Sequence, residues 1–197
     1  MRMMEAQRGE GGMPTSSTSS SSTSLETCLP FAQTSVGIYE ETDPHSIDAG
    51  KAYETLGTIY ITQASETADM VSKNKLENDG CALLWKAHLI RDKTTDRLGA
   101  VRLLRQCADV RIASQKLDSA VTHLRRALEI GYESQEPLPN DMAQMERSLA
   151  KCLAQLGKRS EAFEHYERAM KMRGLAVGGL DDSFCNNVRK EMDRLGS

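Results

Sequence analysis

Apolar and polar positions alternate most clearly over residues 145–172, where two helical stripes follow one another. Met145, Leu149, Cys152, Leu153 and Leu156 recur at the three-and-four spacing of one helical face. Ala162, Phe163, Tyr166, Ala169, Met170 and Met172 do the same. Gly157 lies between the stripes, where a helix end favours a residue that takes positive φ without a Cβ clash. Small residues at Ala150, Ala162 and Ala169 let the two helices approach closely. A lone amphipathic pair leaves apolar faces uncovered, so the pattern requires neighbours of its own kind.

Such neighbours lie upstream. Between Asp96 and Ile130 a first stripe of Leu103, Leu104, Cys107, Ala108 and Val110 precedes a turn at 115–119, and Ala120, Leu124, Ala127, Leu128 and Ile130 follow. Further back, Ser46 is a candidate N-cap and Asp48 adds negative charge to the first turn of a helix reaching about Gln63. Leu84, Ala87 and Ile90 mark its partner within 80–93, and the helical-looking excess at 66–78 reads as a lengthening of both. Aligning Ala120 on Ala162 gives a period of 42 residues. The slack falls at Gly131–Asn140, whose Pro137 and Pro139 forbid a continued helix. A last helix, Ser183–Leu195, carries Arg189, Lys190, Asp193 and Arg194 on one side, as a solubilising end should.

The predicted architecture is all-α: an α-solenoid of about three antiparallel helix pairs with a C-terminal capping helix, spanning 41–197. Residues 1–40 read as a disordered leader, because Thr15–Ser24 is purely Ser/Thr and offers nothing to bury. At its end, Leu29–Glu41 commits to neither period and reads as a short segment packing on the first helix.

Composition narrows the class. The 197 residues are 39% apolar and 27% charged, and 5% aromatic content is lean for a compact core but ordinary for helices packed through Leu, Ala and Met. A net charge of -3 gives no global pull toward nucleic acid. Arg102, Arg105, Arg125 and Arg126 form the densest basic stretch, without the interleaved aromatics that stack bases. No apolar run is long enough to span a membrane, and the start lacks a secretory apolar segment. Five widely spaced cysteines with no CxxC pair predict buried free thiols and a reducing, cytoplasmic setting.

Candidate chemistry is sparse. His45, His88, His123 and His165 read as isolated, the last two as equivalent outward sites without a carboxylate or cysteine at ligand spacing. Glu40–Glu41 and Asp181–Asp182 read as loop or helix-start charges, Gly178–Gly179 as a turn, and Trp85 as core. There is no P-loop, HExxH or GxSxG, so neither an enzyme nor a cofactor or metal site is expected.

Tyr53-x2-Leu56-Gly57-x2-Tyr60 matches the W-x2-L-G-x2-Y signature, with Tyr53 in the tryptophan place. Tyr166-Glu-Arg-Ala-Met-Lys-Met-Arg173 followed by Gly179-Leu-Asp181-Asp182 matches a repeat junction, echoed by Lys86–Lys93 and Arg126–Ile130. Asp43-Pro44-His45 is similar to the loop preceding each first helix. On these residues the stretch 43–195 resembles a tetratricopeptide-repeat protein, and its long period resembles the repeats of kinesin light chain. Cys107 and Arg111 depart from that pattern at expected apolar positions.

The resemblance implies that first helices line a concave groove and second helices face outward. With register taken from Leu56, Cys107 and Leu149, the groove candidates are Lys51, Glu54 and Thr58, then Arg102, Arg105 and Asp109, then Arg147 and Lys151. Five of these eight are basic in an acidic chain, so the expected function is a non-enzymatic adaptor that binds an extended acidic peptide of a protein partner. Thr58, Asp109 and Lys151 stand where a terminal-carboxylate clamp would need asparagines, which argues against that variant. The alternative is a structural subunit of a larger assembly (ciliary, transport or ribonucleoprotein) docked through its convex face. The polar outer sites Arg125, Glu164 and Lys171 weigh against it.

Overall fold

The computed structural model describes residues 20–93, 96–134, 139–177 and 183–196. Its helices are α1 (Ser20–Thr42), α2 (Ile47–Glu66), α3 (Met70–Asp92), α4 (Arg97–Ala113), α5 (Leu117–Glu133), α6 (Pro139–Gln155), α7 (Arg159–Val177) and α8 (Ser183–Gly196). Three antiparallel pairs, α2/α3, α4/α5 and α6/α7, stack in chain order, with α1 against α2 and α8 against α7. Ion pairs trace two layers across the stack. Arg105 of α4 reaches Asp141 of α6 at 2.8 Å, and Arg147 of α6 reaches Glu191 of α8 at 2.6 Å. In the other layer Lys86 of α3 meets Glu40 of α1 at 2.8 Å, and Arg125 of α5 meets Glu161 of α7 at 2.6 Å.

Local chemistry fixes the helix ends. Ser46 caps α2 by accepting the Ala49 N–H at 3.1 Å. Asp69 and Asp96 do the same for α3 and α4 through Ser72 and Gly99. The excess residues of the first pair lengthen both helices, leaving only 67–69 between them. Pro139 opens α6, where its missing N–H costs no helical bond. Pro137, Gly178–Gly179, Asp181–Asp182 and most of the Ser/Thr leader lie outside the described residues.

The core forms three apolar clusters along the stack. Leu104, Leu124, Ile130, Met145, Leu149 and Leu153 are among its fully buried side chains, and alanines such as Ala108, Ala127 and Ala150 are equally enclosed. Cys81, Cys107, Cys152 and Cys185 are buried and in no disulfide, whereas Cys28 is exposed. Such burial makes them small hydrophobes.

Three expectations need correction. The sequence reads 1–40 as a leader, but α1 begins at Ser20 and runs through Pro30. Leu25, Leu29, Ala32, Val36 and Tyr39 pack from α1 onto the core shared with Ala52, Tyr53 and Leu56. These five follow a four-three-four-three helical spacing, which the Ser/Thr run and the proline obscure. Phe163, assigned to an apolar stripe, is 44% exposed, whereas Ala162, Tyr166 and Ala169 of the same stripe are buried. Finally α7 continues past Met172 to Val177.

Candidate functional site

The eight groove candidates lie on α2, α4 and α6, the layer of first helices. Lys51, Thr58, Arg102, Asp109 and Lys151 are exposed, while Glu54, Arg105 and Arg147 are half-buried. Their charges are mostly compensated within the stack. Lys51 bonds Asp48 at 2.9 Å one turn earlier, and Glu54 pairs with Arg91 of α3, which also holds Asp96. Arg105 is paired with Asp141, and both Arg147 and Lys151 converge on Glu191. Arg102 alone of the five cations has no ion pair among the described residues.

The Glu191 cluster closes the last repeat. Arg147 and Glu191 side chains are only 19% and 17% exposed, and the Arg147 guanidinium also lies 5.3 Å from the Phe184 ring centroid. Burial pushes the Glu191 carboxyl upward, but hydrogen bonds from Arg147 and Lys151 outweigh it and hold the group below the usual glutamate range. The same contact raises Arg147. Both candidates of the third repeat are therefore paired with α8. The sequence marks the positions of Arg147 and Lys151, but nothing local signals an acid 44 residues further on. On α4, Asp109 is exposed, yet partial desolvation beside its neighbours lifts its carboxyl and Arg105 draws it back.

His88, His123 and His165 are not isolated outward residues. His165 Nδ1 lies 2.5 Å from Oε2 of fully buried Glu146, whose other oxygen accepts from the Tyr132 hydroxyl. This cluster ties α5, α6 and α7 together. His88 is fully buried, with its ring centroid 4.3 Å from that of Trp85, and His123 lies 5.4 Å away on the far helix. His88 Nδ1 sits 2.6 Å from the Trp85 carbonyl oxygen. Among the described residues no group of three His, Cys, Asp or Glu is arranged to hold a metal. Nor is any helix long and apolar enough to cross a membrane.

A cavity of about 510 Å³ opens at the first end of the stack, between the end of α1, the 43–46 turn, Tyr53 of α2 and the later turns of α3. The sequence gives no signal for it, because its walls come from four separate segments.

Solved structures share this arrangement of helices. The repeat structure of a putative kinesin light chain from Podosopora anserina, with nearly identical TPR-like repeats, superposes with a TM-score of 0.61 at 15% identity, covering 88% of this chain and 78% of that one. The fold is a tetratricopeptide-repeat stack. BtubC (BKLC) from P. vanneervenii gives a TM-score of 0.56 at 18% identity over 87% of this chain and 65% of its own. A thermophilic TPR protein of Thermus thermophilus gives 0.50 at 16% identity over 88% and 75%. At these identities the TPR likeness is one of fold alone. No protein-family model matches the chain, and no curated protein matches its sequence.

Proposed function

We propose that this TPR-like chain is a non-enzymatic protein-interaction module that binds an extended partner segment across the α2/α4/α6 layer and reads acidic side chains on α4. One observation carries the acidic preference: Arg102 is exposed, stands in the middle repeat and has no ion pair among the described residues. Arg105, one turn on, is held only by a half-exposed pair with Asp141, the kind that exchanges easily with a ligand carboxylate. The reading is narrower than eight equivalent groove positions, since Glu191 already occupies Arg147 and Lys151. Cysteines outside any disulfide favour a cytoplasmic setting.

The test is selection from a displayed library of random peptides. The natural chain should enrich Asp and Glu. That enrichment should vanish at high salt and in the double variant Arg102→Glu, Arg105→Glu, with helicity unchanged by circular dichroism. Equal enrichment in both proteins would sink the proposal.

A second reading has its own support. Among the described residues, Phe31, Ile38, Met70, Val71, Leu89, Tyr132, Phe163 and Leu175 are the exposed large apolar side chains of α1, α3, α5 and α7. The first-helix layer adds only Ile47. That asymmetry favours docking of the second layer within a larger assembly. A photo-crosslinker replacing Arg102 in one protein and Phe163 in another separates the two: adducts only from position 163 support the assembly reading.

A further inference from the structure

Two of the five cysteines meet across a repeat boundary. Cys81 lies on α3, the second helix of the first repeat, and Cys107 on α4, the first helix of the next. They are 2% and 0% exposed and belong to one apolar cluster. Cys152 and Cys185 belong to the other two clusters, and Cys28 is exposed on α1. Cys107 Sγ lies 3.7 Å from the Cys81 carbonyl oxygen, and the two thiols are themselves hydrogen-bond partners. Polar contacts hold the same boundary in place beside them. Arg111 donates to Asn78 at 2.6 Å, Ser114 donates to Glu77 at 2.5 Å, and the Lys116 ammonium lies 3.7 Å from the Glu77 carboxylate.

We propose that Cys81 and Cys107 form a redox modification site, at which hydrogen peroxide closes a disulfide that fastens the first repeat to the second. The surroundings divide the chemistry between the two sulfurs. The hydrogen bond from Cys107 favours the Cys81 thiolate, burial opposes it, and the Arg111 guanidinium helps leave this thiol below its ordinary range. The same hydrogen bond, and then burial, push the Cys107 thiol well above that range. Cys81 is therefore the nucleophile and Cys107 the resolving thiol. The Cys81 sulfur attacks one peroxide oxygen, the O–O bond breaks, and the departing hydroxide leaves as water with the thiol proton. A sulfenic acid remains on Cys81. The Cys107 sulfur then attacks that sulfur, and the Cys107 proton and the sulfenic hydroxyl leave together as a second water. The two thiols lose two electrons, and one peroxide becomes two waters. Peroxide is small, and local opening of the first repeat, with only α1 beyond it, admits it to the pair. The linked residues are 26 apart in sequence, so the bond restricts the unfolded chain as well as the boundary. In a reducing compartment such a bond is transient, a sensor rather than a permanent staple.

The experiment treats the full folded chain with hydrogen peroxide, blocks the remaining thiols with N-ethylmaleimide and maps the peptides by mass. The expected result is a linked peptide joining Cys81 to Cys107, two hydrogens lighter than its reduced parts. Cys152→Ala should form it equally well. In Cys107→Ala the link should be lost, and dimedone should instead trap a sulfenic acid on Cys81; the natural chain decides the question even if that variant folds poorly. Urea midpoints are compared in Cys28→Ser, which removes the exposed thiol and any disulfide it makes between chains. Oxidation should raise the midpoint, and dithiothreitol should return it. Unlinked, alkylated Cys81 and Cys107 at a dose that oxidises Cys28 in the natural chain would overturn the proposal. So would a link that forms only in denaturing urea, or a midpoint that oxidation lowers or leaves unchanged.

Discussion

Gly57 of α2 and Gly80 of α3 meet backbone to backbone: a Cβ on either would stand 2.9 Å from the other's carbonyl oxygen. A Cβ on Gly57 would also press on Leu84, at 3.0 Å. The two longest paired helices therefore cross where neither can carry a side chain. Gly57→Ala should destabilise the chain by about 1–3 kcal/mol, the usual cost of overpacking, read as a lower urea midpoint. Gly37 supplies the control, since a Cβ there meets nothing within 4 Å on an exposed face of α1. Gly37→Ala should gain about 0.5–1 kcal/mol from helix propensity alone. If Gly57→Ala behaves like Gly37→Ala, the helices do not approach this closely.

That crossing also shows what a sequence can and cannot disclose. Gly57 sits inside a recognisable signature, whereas Gly80 follows Asn78 and Asp79 and belongs to no motif. The pairs α4/α5 and α6/α7 were legible because apolar period and turn chemistry agree there. In α1 they conflict, and Pro30 with the serine run hides a regular stripe. Site residues were legible as positions only. Whether Arg105 or Arg147 is free depends on Asp141 and Glu191, acids from other repeats that only the stacking brings near.

The Glu146 carboxyl is fully buried yet serves two partners, the Tyr132 hydroxyl and His165. Tyr132 exposes its ring, but desolvation around its hydroxyl, and then the bond to Glu146, push the phenol upward, so it remains a donor across ordinary pH. Glu146→Ala would strand both groups beside a small cavity, at a cost of about 2–4 kcal/mol. Glu146→Gln keeps an acceptor and should cost clearly less. Equal urea midpoints for the two variants would mean that the pairing contributes nothing beyond volume.

Acid sensitivity should come in two windows. Burial, reinforced by Arg111 and His88, holds the His123 imidazole down at about 4, against 6.5 when unfolded. The unfolded chain therefore binds the proton first, and stability falls as pH drops from about 6.5 toward 4. Allowing for the ring's partial exposure, the loss is about 1–2 kcal/mol. His88, lowered mainly by burial, adds in the same direction. Glu191 works differently. Its depressed carboxyl stabilises fully above the ordinary value of 4.5, and that contribution is lost only as pH falls below it. Urea midpoints at pH 7 and pH 5 should differ in the natural chain and differ less in His123→Gln. An unchanged difference would exclude this ring as the source.

Gln115 and Gly157 end α4 and α6 with the same motif, 42 residues apart. Lys116 N–H donates to the Arg111 carbonyl at 2.8 Å, as Lys158 N–H does to Leu153 at 2.9 Å. Each turn needs a left-handed residue, with φ of 57° at Gln115 and 78° at Gly157. A glycine takes that conformation freely, whereas a residue with a Cβ is strained by about 1 kcal/mol. Gln115→Gly should therefore leave stability equal or raise it by up to about 1 kcal/mol, an unusual result for a glycine substitution. Gly157→Gln should lower it by about 1 kcal/mol, although nothing lies within 4 Å of a Cβ there. The opposite signs isolate backbone strain from packing. Thermal unfolding of both variants reads them directly, and a loss in Gln115→Gly comparable to that in Gly157→Gln would mean that Gln115 holds its turn by a side-chain contact rather than under strain.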